Sequence, residues 1–144
     1  MLSKERLVNI MYSRKELAVK RKREGMNCAQ AVACTYCDIA GMEESTMEAV
    51  TQSFGTGIRG TLEGTCGAIT GACTVIGMAN KEAGRVKAMQ DAKYIMNCFK
   101  ERNQTVVCKE LKGIETGQML RACEDCVRDA AEFLEAALNI NEKL

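Results

Sequence analysis

Gly64-Thr65-Cys66-Gly67-Ala68-Ile69-Thr70-Gly71-Ala72 opens a run that stays apolar or small almost to Asn80. The run is too short to cross a bilayer, which takes about 20 apolar residues. It reads instead as a core helix over about residues 66–80, with Ile69, Cys73 and Ile76 on one stripe. Gly67, Ala68, Gly71 and Ala72 let other backbones approach closely, and Gly67, Ala68 and Gly71 are the expected lining for any bound cofactor. Thr65 is a good N-cap, which puts Cys66 in the first turn. There, unpaired N–H groups and the helix dipole favour thiolate over thiol, so the expected Cys66 is accessible and acidic.

Outward from this helix, apolar residues recur at helical spacing almost everywhere and alternating strand patterns are scarce, which predicts an all-α bundle of six to seven helices. Leu7, Ile10, Met11, Leu17 and Ala18 mark a first helix over about 3–23, stopped near Gly25. A second runs over about 27–40 and ends at Gly41; Ser45 is the expected cap of a short third carrying Met47, Val50 and Phe54. Four glycines in residues 55–64 make that stretch an irregular loop that delivers the chain to Cys66. Val86, Met89, Ala92, Met96 and Phe99 define a fifth helix, and 106–111 a short sixth closed by Gly113. The last, over about 116–138, carries Leu120, Cys123, Val127, Ala131, Leu134 and Leu138 on one face, so Cys123 is expected to point into the core. No repeat, linker or low-complexity segment interrupts residues 1–144, which are expected to form one domain: a basic helix over 1–24 and a core over 25–137.

Nine cysteines in 144 residues, an odd number with no apolar leader segment, argue against a secreted disulfide framework and for a reducing cytoplasm. His, Pro and Trp are all absent. Their absence excludes Cys-His and Ser-His catalysis, His-ligated metals and CxxCH haem attachment. Without proline there is also no cis-proline to face a thioredoxin-like redox site. The net charge of +1 is unevenly spread: residues 1–24 carry 8 basic and 3 acidic side chains, and the remainder 12 and 16. The basic run Lys20-Arg21-Lys22-Arg23 reads as solvated cations at a helix C-terminus. Few aromatics weigh against nucleic-acid binding, and no segment calls for membrane insertion.

The cysteines sort by position. Cys34/Cys37 and Cys123/Cys126 have CxxC spacing, which on a helix brings both sulfurs to one side. Each pair could form half of a tetrahedral Zn²⁺ site, but both sit mid-helix and far apart, unlike a zinc ribbon. Cys34, Cys37 and Cys73 read as packing residues. No C-x₂-C-x₂-C run of the ferredoxin kind is present. The cap-and-cysteine arrangement of Thr65-Cys66 recurs at Asn27-Cys28 and, two residues looser, at Thr105-Val106-Val107-Cys108. Three sulfurs are thus expected at helix starts, with Cys123 as a fourth on the packed face of the last helix.

Asn27-Cys28-Ala29-Gln30-Ala31, the Gly-rich loop, Cys66-Gly67-Ala68-Ile69-Thr70-Gly71, Cys108-Lys109-Glu110-Leu111 and Cys123-x-x-Cys126-Val127 together resemble the redox-active protein family labelled C_GCAxxG_C_C, over about residues 25–137. The resemblance implies a bacterial or archaeal redox protein with four signature cysteines, here Cys28, Cys66, Cys108 and Cys123. It also implies a functional link to a membrane transporter, near whose genes members often sit. Haem, which related split-Soret proteins carry, does not transfer to a chain without histidine. Cys126 stands where the family more often has an aromatic residue.

The expected function is that of a cytoplasmic redox-active protein, with thiol-dependent oxidoreductase activity left open, in which Cys28, Cys66, Cys108 and Cys123 share one pocket for thiol/disulfide exchange or electron transfer, with Cys66 reachable from solvent. In the thiol form, Cys66 attacks and Cys28 or Cys108 resolves. Two alternatives stand beside it: the same four thiolates as ligands of an Fe–S cluster or Zn²⁺, and a non-catalytic helical interaction module whose basic first helix docks on a partner. The natural partner is a further redox protein, and a homodimer is compatible with the sequence. The spacing assigns no role to Cys98 or Cys126.

Overall fold

The computed structural model describes residues 12–140, and the expected apolar positions Leu7, Ile10 and Met11 lie outside them. Among the described residues there are eight helices and no strand: α1 (Lys15–Arg23), α2 (Cys28–Thr35), α3 (Cys37–Ala40), α4 (Glu44–Thr51), α5 (Gly67–Ala79), α6 (Arg85–Asn103), α7 (Cys108–Lys112) and α8 (Cys123–Leu138). The fold is all-α, as expected. One isolated antiparallel bridge joins Thr65 to Val107.

α2 and α5 form the central pair, and α8 lies across them while also contacting α1 and α6. Small residues set how close α2 and α5 come: a Cβ added at Gly71 would stand 2.4 Å from the Ala29 carbonyl oxygen. One added at Gly67 would meet the Phe54 carbonyl oxygen at 3.0 Å and the Cys28 Cβ at 3.1 Å. Gly67 and Gly71 therefore lie directly against the backbone of Phe54 and Ala29 and the Cys28 side chain. Val32, Ile69, Ile76, Ile95, Phe99, Val127 and Leu134 close the core around this contact.

Several elements depart from the sequence reading, each for a local reason. The expected second helix breaks at Tyr36, whose φ of −120° leaves the helical range, so Cys37 starts a new turn; Gly41 ends it in the left-handed region as expected. α4 starts at Glu44, one residue before Ser45, and Phe54 lies beyond its end. On α1 the inward residues are Ala18 and Val19, while Leu17 is exposed. On α6, Val86 and Met89 are exposed, and the buried stripe is Asp91, Ile95, Phe99 and Asn103 at strict four-residue spacing. Two polar residues hold places on that stripe because they have partners: Asn80 Nδ2 donates to Asp91 (3.0 Å) and Asn103 Nδ2 donates to Asp129 (3.1 Å). The last helix begins at Cys123 rather than near 116, leaving Leu120 exposed on the preceding loop. Gly113 ends α7 in the left-handed region, as expected, and 114–122 then fold back so that Leu120 and Arg121 N–H both reach the Leu111 carbonyl (2.9 and 3.2 Å).

Buried polar groups pin the ends of the bundle. Arg14 pairs bidentately with Asp38 (2.7 and 3.0 Å) and donates to the Thr35 carbonyl (3.1 Å). Its backbone N–H donates to Glu135 (2.7 Å), which also accepts from the Tyr36 hydroxyl (2.5 Å). At the other side, Asp129 accepts from Arg121, Arg102 and Asn103 and so ties the 114–122 loop to α6 and α8.

Candidate functional site: a cluster of thiols at helix starts

Besides Cys37, which opens the four-residue α3, four cysteines sit at helix N-termini. Cys28, Cys108 and Cys123 are the first residues of α2, α7 and α8, and Cys66 is itself the N-cap of α5. The first of these follows the sequence grammar closely. Asn27 Oδ1 accepts from the Gln30 N–H (2.8 Å) and Gln30 Oε1 accepts from the Asn27 N–H (3.1 Å), a reciprocal capping box that fixes where α2 begins. At Cys66 the register differs by one residue from expectation: Thr65 is in the bridge with Val107, and the cysteine takes the cap position. Its sulfur makes no side-chain cap hydrogen bond, and the N–H groups of Ala68 and Ile69 act on it as nearby positive dipoles. Thr105 does not cap α7 either; its hydroxyl accepts from the Val107 N–H (3.1 Å) and donates to Glu110 (3.0 Å).

The Gly-rich loop brings Cys66 and Cys108 together. The Cys66 N–H donates to the Val106 carbonyl (2.7 Å), and the Cys108 N–H donates to the Gly64 carbonyl (3.0 Å). The Lys109 N–H, the next unpaired donor of α7, reaches the Leu62 carbonyl (2.8 Å). A helix of five residues cannot position itself, and here the loop satisfies its free N–H groups. Gly57 sits at φ +65°, and a Cβ there would lie 2.8 Å from the Cys108 Cβ, so the loop passes directly against that cysteine. Thr56, Ile58, Arg59 and Leu62 also adopt positive φ (50°, 69°, 54° and 69°), a strained run held by the same contacts.

The sulfurs pair by hydrogen bonds. Cys28 contacts Cys123, and Cys66 contacts Cys126. Cys66 lies close enough to Cys28, Cys108 and Cys123 for its charge to act on each, so the four cysteines expected to share a site are electrostatic neighbours. The Cys28 thiol donates to Cys123, whose pKa is held down to about 5 by that bond and by Lys112 and Lys22, against the cost of burial. Cys28 is raised by the same bond and by burial. Within the second pair Cys126 donates to Cys66; that bond and the Ala68 and Ile69 N–H groups hold Cys66 below the usual thiol range despite its burial. Cys126 is raised correspondingly. Burial, with the charges of Cys66 and Cys123, pushes Cys108 up.

Exposure reverses two expectations. Cys66 is buried, at 5% exposure, and is not open to solvent. Cys123, expected to point into the core, is only half-buried because α8 starts at it rather than several residues earlier. The acidic thiolate nearest to solvent is therefore Cys123. Sequence reading also missed its cations. Lys112 hydrogen-bonds Cys123, and although burial opposes its charge, the attraction of Cys123, Cys108 and Cys28 raises its pKa. It stands four residues after Cys108, the one-turn spacing that could have flagged it. Lys22, within the run read as solvated, acts on both Cys28 and Cys123, whereas its neighbours Arg21 and Arg23 pair with Glu44 and Glu124.

The remaining cysteines behave as packing residues. Burial pushes Cys34 up to about 12, and it also raises Cys37 and Cys73. Among the described residues, no group of three or more Cys, Asp or Glu side chains is arranged to hold one metal ion. Nor is any helix long and apolar enough to cross a membrane among them.

Compared with known families, the chain matches the one described as "Putative redox-active protein (C_GCAxxG_C_C)" over residues 26–137. The chain belongs to that family. No curated protein and no solved structure matches it. The matched span takes in all nine cysteines and every helix except α1 and the last residue of α8.

Proposed function

We propose that the protein is a thiol/disulfide exchange protein in which Cys123 attacks and Cys28 resolves. One observation carries this reading: the Cys28 thiol donates a hydrogen bond to Cys123, the half-exposed member of the cluster, beside Lys112. A low-pKa, reachable thiolate with a second sulfur in contact is what exchange requires. The Cys123 thiolate attacks one sulfur of a partner's disulfide, forming a mixed disulfide and releasing the partner's other sulfur as thiolate. Cys28 passes its proton to that thiolate and attacks the Cys123 sulfur. A Cys28–Cys123 disulfide forms, the partner leaves as a dithiol, and two electrons have moved to it.

Lys112 and Lys22 stabilise the Cys123 thiolate before attack, and Cys66 and Cys108 complete the cluster behind it. Paired sulfurs, rather than four converging on one point, support exchange over the Cys₄ metal alternative. Nine free thiols fit a reducing compartment such as the cytoplasm. Trapping with a small disulfide tests the assignment. The double variant Cys28→Ser/Cys66→Ser, which removes both neighbouring sulfurs able to attack Cys123, should accumulate a stable mixed disulfide at Cys123, mapped by peptide mass, and Cys123→Ser should form none at Cys28 within the same time. An unchanged thiol count in the wild-type protein after such treatment overturns the proposal.

A further inference from the structure

We propose that Cys126 and Cys66 form a second dithiol couple, lying behind Cys28 and Cys123 and exchanging with it, so that the site holds two electron pairs rather than one. This rests on the exchange reading above and extends it to a residue outside the four signature cysteines. α5 and α8 pack on each other, and Cys66 and Cys126, buried at 5% and 2% exposure, act on one another across that contact. Neither can meet a partner's disulfide. Cys126 lies three residues after Cys123, on the same side of α8 and one turn deeper. Cys66 is the neighbour of both Cys28 and Cys123, because the start of α5 packs against the start of α2: a Cβ on Gly67 would be 3.1 Å from the Cys28 Cβ. The buried pair therefore faces the front pair and nothing else that carries a disulfide.

The internal step balances without an outside reagent. Starting from the Cys28–Cys123 disulfide, the Cys66 thiolate attacks the Cys123 sulfur; the Cys28–Cys123 bond breaks and a Cys66–Cys123 bond forms. Cys28 leaves as thiolate and takes the proton of Cys126. The Cys126 thiolate then attacks the Cys66 sulfur and releases Cys123 as thiolate. The disulfide has moved to Cys66–Cys126, the front pair is again one thiol and one thiolate, and no electrons have been gained or lost. A second partner disulfide then oxidises the front pair as before.

The experiment uses the full-length reduced protein and glutathione disulfide, a charged oxidant too large to enter the core. Samples are quenched with acid at intervals, free thiols are alkylated after denaturation, and the disulfides are mapped by peptide mass. The wild type should lose two thiols and then two more, ending with Cys28–Cys123 and Cys66–Cys126 both formed. Cys126→Ser should stop after the first two, with only Cys28–Cys123 formed; Cys126→Ala serves the same purpose if the serine variant loses helix by circular dichroism. Cys123→Ser should leave Cys66 and Cys126 reduced. Three results each overturn the relay while leaving the exchange function standing: a wild type that stops at Cys28–Cys123, a Cys66–Cys108 disulfide in place of Cys66–Cys126, or formation of Cys66–Cys126 at the wild-type rate in Cys123→Ser. Absence of the Cys28–Cys123 disulfide itself removes the reading beneath it.

Discussion

In the proposed exchange a single sulfur, Cys123, carries most of the chemistry, and its pH behaviour follows from its neighbours. An ordinary thiol, with a pKa of about 8.5, loses its nucleophile as pH falls toward neutrality; Cys123, held down to about 5 by the Cys28 hydrogen bond and by Lys112 and Lys22, keeps it. Alkylation of Cys123 should therefore be nearly constant from about pH 9 to pH 6 and fall off only near 5. Removing the charge in Lys112→Met should slow alkylation about threefold at about pH 5.5, where a rise of about one unit in the Cys123 pKa leaves most of the thiol protonated, and leave it unchanged at about pH 9.5, where the thiolate forms regardless. Rates equal to wild type at the lower pH would dissociate Lys112 from the site. The sign for stability is the same: a lowered thiol pKa contributes in full above the unfolded value and is lost as pH falls through about 5. The stability gap between wild type and Cys123→Ser should accordingly shrink as the solution is acidified over that window.

At the scale of elements, the contact between α2 and α5 decides whether the sulfurs meet, since each helix carries one at its start. Gly71 makes that contact. In Gly71→Ala the new methyl would sit 2.4 Å from the Ala29 carbonyl oxygen and 2.9 Å from its Cα, so backbone must move. Overpacking of this kind costs about 1–3 kcal/mol, and rigid backbone on both sides puts this case at the upper end. On the same helix Gly77 has open space around it, and Gly77→Ala should be neutral or stabilising by up to about 1 kcal/mol. Urea unfolding of both variants checks the contrast. Gly71→Ala should also slow formation of the Cys28–Cys123 disulfide, which Gly77→Ala leaves alone. The core helix around Gly71 was legible in the sequence because its residues are apolar or small at nearly every position. Its cap was not, because Thr65 is equally suited to a cap and to a bridge, and the bridge to Val107 takes it.

For the molecule as a whole, the Asp129 carboxylate joins segments that local sequence does not connect. At 2% exposure it accepts from Arg121, which leads into Cys123, and from Arg102 and Asn103 at the end of α6. Truncating one partner of a buried pair costs about 3–5 kcal/mol; because both arginines keep access to water, about 3 kcal/mol is expected for Asp129→Ala. A shift of the urea midpoint with an unchanged slope would measure it. The variant should also release the 114–122 loop, which a rise in hydrogen exchange at Leu120 and Arg121 would report. Ion pairs between side chains far apart in sequence carry no periodic signal, so no sequence pattern marks this junction.

The sequence by itself determined the all-α class, the buried α5, the irregular loop before it, and three of the four helix-start cysteines. Each is a property of a few consecutive residues: apolar period, glycine density, a polar residue before a helix. Tertiary structure alone decided which sulfur faces solvent. The apolar period continues back past Cys123 to Leu120 and so places Cys123 inside, while a cap at Thr65 places Cys66 in an open first turn. The chain instead turns at Gly113, and Arg121 is drawn to Asp129, so α8 starts at Cys123 and leaves it half-buried. Cys66 is covered because α2 closes over the glycines that follow it. Pairing of Cys28 with Cys123 and of Cys66 with Cys126 likewise depends on how three helices cross, and the energies that fix a crossing are spread over contacts far apart in sequence.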